Sequence, residues 1–228
     1  MDSAARRIKS VIRLLRKRYP QARTALEFRT PLEILVATIL AAQCTDERVN
    51  RITPGLFQKY PTAAEFARAE RAELEQQIRS AGFFRNKAKS IVGAARKIVE
   101  EFGGVVPDSM DKLVTLPGVA RKTANIVLSA GYGRAEGIAV DTHAGRLSRR
   151  LGLSRHEDPV KVEQDLMLLL PKSVWIEFSH QMIWHGRAIC SARNPKCEEC
   201  PLIADCPGSR DFLPVKKLER KERSGGGK

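Results

Sequence analysis

The run Pro31-Leu-Glu-Ile-Leu-Val-Ala-Thr-Ile-Leu-Ala-Ala42 constrains the fold more than any other part of this chain. Pro31 carries the fixed φ of a first helical residue. A helix this apolar on every side must be enclosed by other elements. The rest of the chain offers helices to enclose it. Residues 4–19 place Ile8, Val11, Ile12, Leu15 and Tyr19 at helical spacing among seven basic side chains. Thr45 or Asp46 can cap a helix through Arg48-Val49-Asn50. Similar patterns predict helices over 62–69, 71–81, 87–102, 109–115, 121–130, 143–151, 159–170 and 173–190. Asp108 with Asp111, just before an apolar run, has the form of a capping box. Gly82, Gly103-Gly104 and Pro117-Gly118 punctuate the pattern. Residues 137–140 are too short and isolated to make a sheet. The expected fold class is all-α.

The chain has 228 residues and a net charge of +14. That length allows one large domain or two small ones. A charge surplus of this size points to an acidic polymer or an acidic membrane surface as partner. No apolar run reaches the ~18 residues of a membrane helix, and the basic N-terminus lacks a signal-type apolar core. These features predict a soluble cytoplasmic protein, associated with the nucleoid if the source is bacterial. Residues 215–228 carry a basic excess and a Gly triplet, which predicts a flexible basic tail.

One segment unites charge with an anion-binding turn: Leu116-Pro117-Gly118-Val119-Ala120-Arg121-Lys122-Thr123-Ala124-Asn125. Gly118 lets the backbone approach a partner closely. The next helix starts at once, so its free N–H groups point into the same space. Lys122 sits where it can reach past a bound phosphate to a sugar or base.

Four of the five cysteines fall in Cys190-x6-Cys197-x2-Cys200-x5-Cys206. One tight cluster argues for metal rather than a disulfide framework. Pro195, Pro201 and Pro207 stiffen the loop. A tetrahedral zinc and a cubic iron–sulfur cluster both fit four thiolates. All ligands come from the chain, so the role is structural. Arg193 and Lys196 project from the loop, either toward phosphates or simply into solvent. Cys44 reads as a small core residue.

Together these residues resemble the endonuclease III family of DNA repair glycosylases, within the helix-hairpin-helix superfamily. The resemblance rests on the 116–124 segment, on Ala139-Val140-Asp141-Thr142-His143 and on the cysteine spacing, in that order. Gln43 within Ala42-Gln43-Cys44-Thr45-Asp46 and the turn Gly82-Phe83-Phe84 add to it. It spans roughly 31–206 and implies a [4Fe-4S] cluster on Cys190, Cys197, Cys200 and Cys206. It implies a bilobal protein, with a six-helix domain over 24–133 and an iron–sulfur domain from 1–23 plus 134–214. Duplex DNA with damaged bases would lie across the cleft of a monomer, and the damaged base would be rotated out of the stack. Gln43 and Phe83 would fill the vacated space; Phe83 stands where leucine is expected, and a core aromatic is the other reading. Leu116, Gly118, Ala120 and Arg121 would grip phosphates through the hairpin, with His143 as an auxiliary contact. Ala120 replaces the second glycine of the commonest hairpin form.

The resemblance makes Lys122 the nucleophile of a bifunctional glycosylase and abasic-site lyase acting on oxidised pyrimidines. To attack, its amine must carry a free lone pair. Asp141 would stabilise charge on the sugar and move protons, though it also looks like a helix N-cap. Two rivals compete. A monofunctional mismatch or adenine glycosylase is disfavoured by the presence of Lys122 and by the chain ending soon after the cysteines. A non-catalytic, metal-stabilised DNA-binding module is disfavoured by Lys122 with Asp141.

Overall fold

The computed structural model describes residues 2–212, and side chains from residue 4. The tail expected over 215–228 lies outside these residues. Eleven α-helices follow one another among the described residues: α1 (Asp2–Arg18), α2 (Pro31–Leu40), α3 (Asp46–Lys59), α4 (Ala63–Arg68), α5 (Arg71–Gln77), α6 (Phe84–Phe102), α7 (Met110–Leu113), α8 (Arg121–Ile126), α9 (Thr142–Arg150), α10 (Pro159–Leu169) and α11 (Trp175–Ala188). No strand occurs among them, so the chain is all-α.

Thr24–Glu136 forms one compact unit. Its centre is α2, whose residues Ile34 to Leu40 are all buried. A helix apolar on every side finds cover on every side. Local chemistry sets the helix starts. Thr30 caps α2 by accepting from Glu33 N, with Pro31 behind it. Thr45 caps α3 by accepting from Arg48 N. Thr62 and Glu65 form a reciprocal capping box on α4. The 71–81 pattern splits into α5 and a 3₁₀ turn, Arg79–Ala81. α6 begins at Phe84, a turn earlier than its periodicity indicates. α8 runs into a π-helical turn, Val127–Gly131.

The capping box read from Asp108 and Asp111 does not form. Ser109 occupies the N-cap of α7 without a side-chain cap. Glu136 Oε2 accepts from Met110 N at 3.0 Å instead, while Asp108 pairs with Arg134. A carboxylate distant in sequence supplies what the local pattern assigned to its neighbours.

The second unit joins the residues up to Arg23 to those from Gly137 onward. α1 buries Ile8, Val11 and Leu15, Tyr19 just after it is buried too, and both are tied to α11. Arg16 Nε donates to Glu177 Oε2 at 2.9 Å, and Tyr19 Oη lies 3.0 Å from His185 Nδ1. α9 starts at Asp141, whose Oδ1 accepts from Ala144 N at 2.8 Å. α10 starts at Asp158, with Pro159 at its first position.

Candidate nucleic-acid interface and metal centre

The turn Pro117-Gly118 is built on α6. Gly118 has φ +78, and a Cβ there would lie 2.5 Å from Ser90 Cβ. The position thus demands glycine twice, for backbone conformation and for space. Pro117 seats against Gly93, where a Cβ would be 3.2 Å from the proline ring. Leu116 and Val119 are buried and anchor the turn from beneath. Any contact of Leu116 with a ligand is therefore through its backbone. Pro117, Gly118 and Ala120 are exposed. Ala120 is extended, at φ −86 and ψ 169, so alanine fits there without strain. It is the N-cap of α8 and makes no side-chain cap, which leaves the first N–H groups of the helix facing outward. Lys122, in that first turn, is exposed, and Arg121 is half-buried. A groove beside the turn is lined by Arg71, Asn86, Lys89, Ser90, Arg96 and Pro117. Sequence reading missed this basic wall, because its members come from α5, α6 and the turn.

Gln43 and Phe83 share an unusual state. They are the two non-glycine residues with positive φ among those described, at +53 and +48. Each such backbone costs about 1–2 kcal/mol, and strain of this kind concentrates at functional sites. Gln43 is exposed. Phe83 is 64% exposed, which excludes the core-aromatic reading.

Lys87, four residues after Phe83, is 5% exposed. Its Nζ donates to Leu40 O at 2.7 Å and to Ala81 O at 2.9 Å. Burial pushes its pKa below that of an ordinary lysine, with Cys44 pulling the other way. The sequence held a signal for it. Lys87, Ile91, Ala94, Ala95 and Ile98 form one buried helical stripe, so the periodicity placed a lysine on a core face.

In the other unit, Asp141 is half-exposed and caps α9. His143 packs against α11, where a Cβ on Gly186 would meet His143 Cβ at 2.6 Å. Its Nδ1 lies 3.1 Å from Arg146 Nη2. Arg146 also donates to Cys190 O at 2.7 Å, securing the start of the cysteine loop. Arg193 and Lys196 are exposed on that loop.

All four clustered cysteines line one pocket, with Arg150, Pro195, Lys196 and Phe212 around it. Among the described residues no three His, Cys, Asp or Glu side chains close in on a single-ion site; the thiols ring the pocket instead. Burial pushes the Cys200 thiol up to about 12 and the Cys206 thiol up to about 11, and the neighbouring cysteines add to both shifts. Four thiolates so placed need a cationic core to neutralise them. The donor set therefore fits an iron–sulfur cluster. Arg150 Nη1 donates to Cys190 Sγ at 3.1 Å, and His185 Nε2 lies 3.4 Å from Cys200 Sγ. Neither group was singled out in the sequence, since both are brought to the loop by helix packing.

Comparison with known proteins adds to this geometry. Residues 36–172 match the HhH-GPD superfamily base excision DNA repair proteins, and residues 190–206 match the iron-sulfur binding domain of endonuclease III. The chain is 55% identical to endonuclease III of Synechocystis sp. over 210 residues, covering 92% of this chain and 96% of that one. It is 47% identical to the Bacillus subtilis endonuclease III over 189 residues, covering 82% and 86%. Among solved structures, a trapped endonuclease III–DNA covalent intermediate superposes with TM-score 0.86 and 42% identity, covering 91% of this chain and 97% of that one. No helix among the described residues is long and apolar enough to cross a membrane.

Proposed function

The chain belongs to the endonuclease III family of base-excision repair proteins, and on that premise we propose that it removes oxidised pyrimidines from duplex DNA with Lys122 as nucleophile. It is a DNA glycosylase and abasic-site lyase, and it binds DNA. It carries a [4Fe-4S] cluster, which we assign to Cys190, Cys197, Cys200 and Cys206. It works as a monomer.

The observation that carries the reading is the hairpin. A buried Leu116 and Val119 hold an exposed Pro-Gly turn, and the helix that follows opens with an exposed lysine. Phosphate seats against the turn and the open N–H groups of α8. The duplex releases the damaged nucleotide, as base chemistry requires, and Gln43 and Phe83 occupy the gap. Lys122 Nζ, as the free amine, attacks C1′ of the extruded nucleotide. The C1′–N bond breaks and the base leaves with its bonding electrons, taking up a proton. Opening of the sugar ring gives an iminium between Nζ and C1′. The iminium acidifies C2′–H; loss of that proton breaks the C3′–O bond and expels the 3′ phosphate. Water then hydrolyses the iminium and returns the amine. Asp141 stabilises positive charge on the sugar and relays protons. Its Oδ1 stays in the cap of α9, leaving Oδ2 for this work. The bound cluster supplies charge neutralisation that orders the 190–206 loop, and so presents Arg193 and Lys196 to the DNA backbone.

Borohydride trapping on duplexes carrying different damaged pyrimidines tests the proposal. Wild-type protein gives a covalent adduct, whereas Lys122→Gln binds DNA and gives none. Asp141→Asn keeps the cap and the fold but loses most turnover. A persistent adduct in Lys122→Gln moves the nucleophile to another amine, and wild-type turnover in Asp141→Asn removes Asp141 from the reaction. Trapping with no damaged pyrimidine would assign the chain a different lesion class.

A further inference from the structure

Lys87 is a buried cation with no carboxylate hydrogen-bonded to it; its two partners are backbone carbonyls. Long charged side chains are almost never this buried without a reason, and an unbranched apolar residue would fill the same space at less cost. The carbonyls it holds show what the ammonium achieves. Leu40 ends α2, and the chain reaches Gln43 three residues later. Ala81 ends the 3₁₀ turn, and the chain reaches Phe83 two residues later. Lys87 thus binds a carbonyl two or three residues ahead of each strained, exposed residue. It stands on α6, which Phe83 itself begins as N-cap.

We propose that Lys87 is a positioning residue for base extrusion. Its ammonium cross-links the end of α2 to the turn before α6, so that Gln43 and Phe83 are held in their left-handed conformations as one rigid pair. This rests on the reading above that those two side chains fill the vacated stack. Positive φ is unfavourable at both positions, and without the cross-link each loop relaxes to an ordinary conformation independently. A pair already placed loses little entropy on entering DNA.

A double-mutant cycle tests this on the full-length, cluster-loaded protein. The quantity read is the affinity for a duplex with a tetrahydrofuran abasic analogue relative to the undamaged duplex. Lys87→Met lowers that preference about tenfold, through the analogue duplex alone, because hydrogen bonds to a charged donor are lost. Gln43→Ala and Phe83→Ala each lower it in the wild-type background. In the Lys87→Met background they add little, since the pair is already misplaced. Amide exchange accelerates in Lys87→Met at both 41–44 and 82–85, while the body of α2 and α6 stays protected. Losses that add in full overturn the role of Lys87 and leave the stack-filling reading standing. Exchange that quickens in one loop only, or throughout the unit, also overturns it. If Gln43→Ala and Phe83→Ala change nothing in the wild-type background, the stack-filling reading falls, and the extrusion role falls with it. Should Lys87→Met fail to fold, Lys87→Gln, which shortens the reach and keeps N–H donors, enters the same cycle.

Discussion

Substituting Gly118 by alanine attacks the hairpin at its tightest point. The added methyl meets two obstacles. At φ +78 an L-residue pays about 1–2 kcal/mol for the left-handed conformation. The new Cβ also lies 2.5 Å from Ser90 Cβ and 2.7 Å from Ser90 Oγ. The hydroxyl can rotate away, but Ser90 Cβ is fixed by the backbone of α6, so helix or turn must shift. Overpacking of that kind costs about 1–3 kcal/mol. The sum is about 2–5 kcal/mol, or a fall in melting temperature of roughly 10 °C at about 2–4 °C per kcal/mol. Ser90→Gly removes only the second obstacle, at about 0.5 kcal/mol of helix propensity. Thermal unfolding of the four variants by circular dichroism, with hairpin affinity for undamaged duplex read alongside, separates the two. The double variant should be less stable than Ser90→Gly by only the conformational cost, giving a coupling of about 1–3 kcal/mol. Strict additivity, or a Gly118→Ala loss under about 1 kcal/mol, would refute the close seat of the turn on Ser90.

Two further outcomes follow from the second unit. Arg150→Met removes the donors to Cys190 Sγ, Ser191 O and Ala192 O. It should speed loss of the cluster's visible absorbance in air by about tenfold, as lost contacts around a metal's ligands do elsewhere; an unchanged rate would deny Arg150 a part in cluster retention. Burial holds His180 below the ordinary 6.5, so the folded chain keeps it neutral while the unfolded chain takes up a proton first as pH falls. The stability involved is fully present above about pH 6.5 and is lost below it. The melting temperature of the wild type should therefore fall more steeply than that of His180→Gln between about pH 7 and pH 5.5, and parallel curves would contradict this.

Much of the fold was legible because its signals are short-range. Thr45 and Asp141 cap helices through N–H groups three residues away. The apolar face of α1 and the all-round apolarity of α2 state their burial directly, since a period of 3.6 needs only one turn to reveal itself. The Asp108–Asp111 pattern failed for the complementary reason. A capping box is a local inference, and Glu136, from another part of the chain, reached the helix start first. Phe83 shows the same limit. Its identity suggested a core residue or a probe for DNA, and only its 64% exposure separated the two.

What the amino-acid order determined alone was therefore most of the helices, the caps at Thr45 and Asp141, the Pro-Gly turn and the four thiols at a spacing that one cluster can bridge. Those depend on neighbours within a few residues, where covalent geometry limits the choices. Tertiary structure decided that Ser90 forbids a side chain at Gly118, that Arg150 and His185 face the cysteines, and that Lys87 is buried between two carbonyls. Each of these joins segments far apart in the chain, and contact at such separation is set by how helices pack rather than by any local preference.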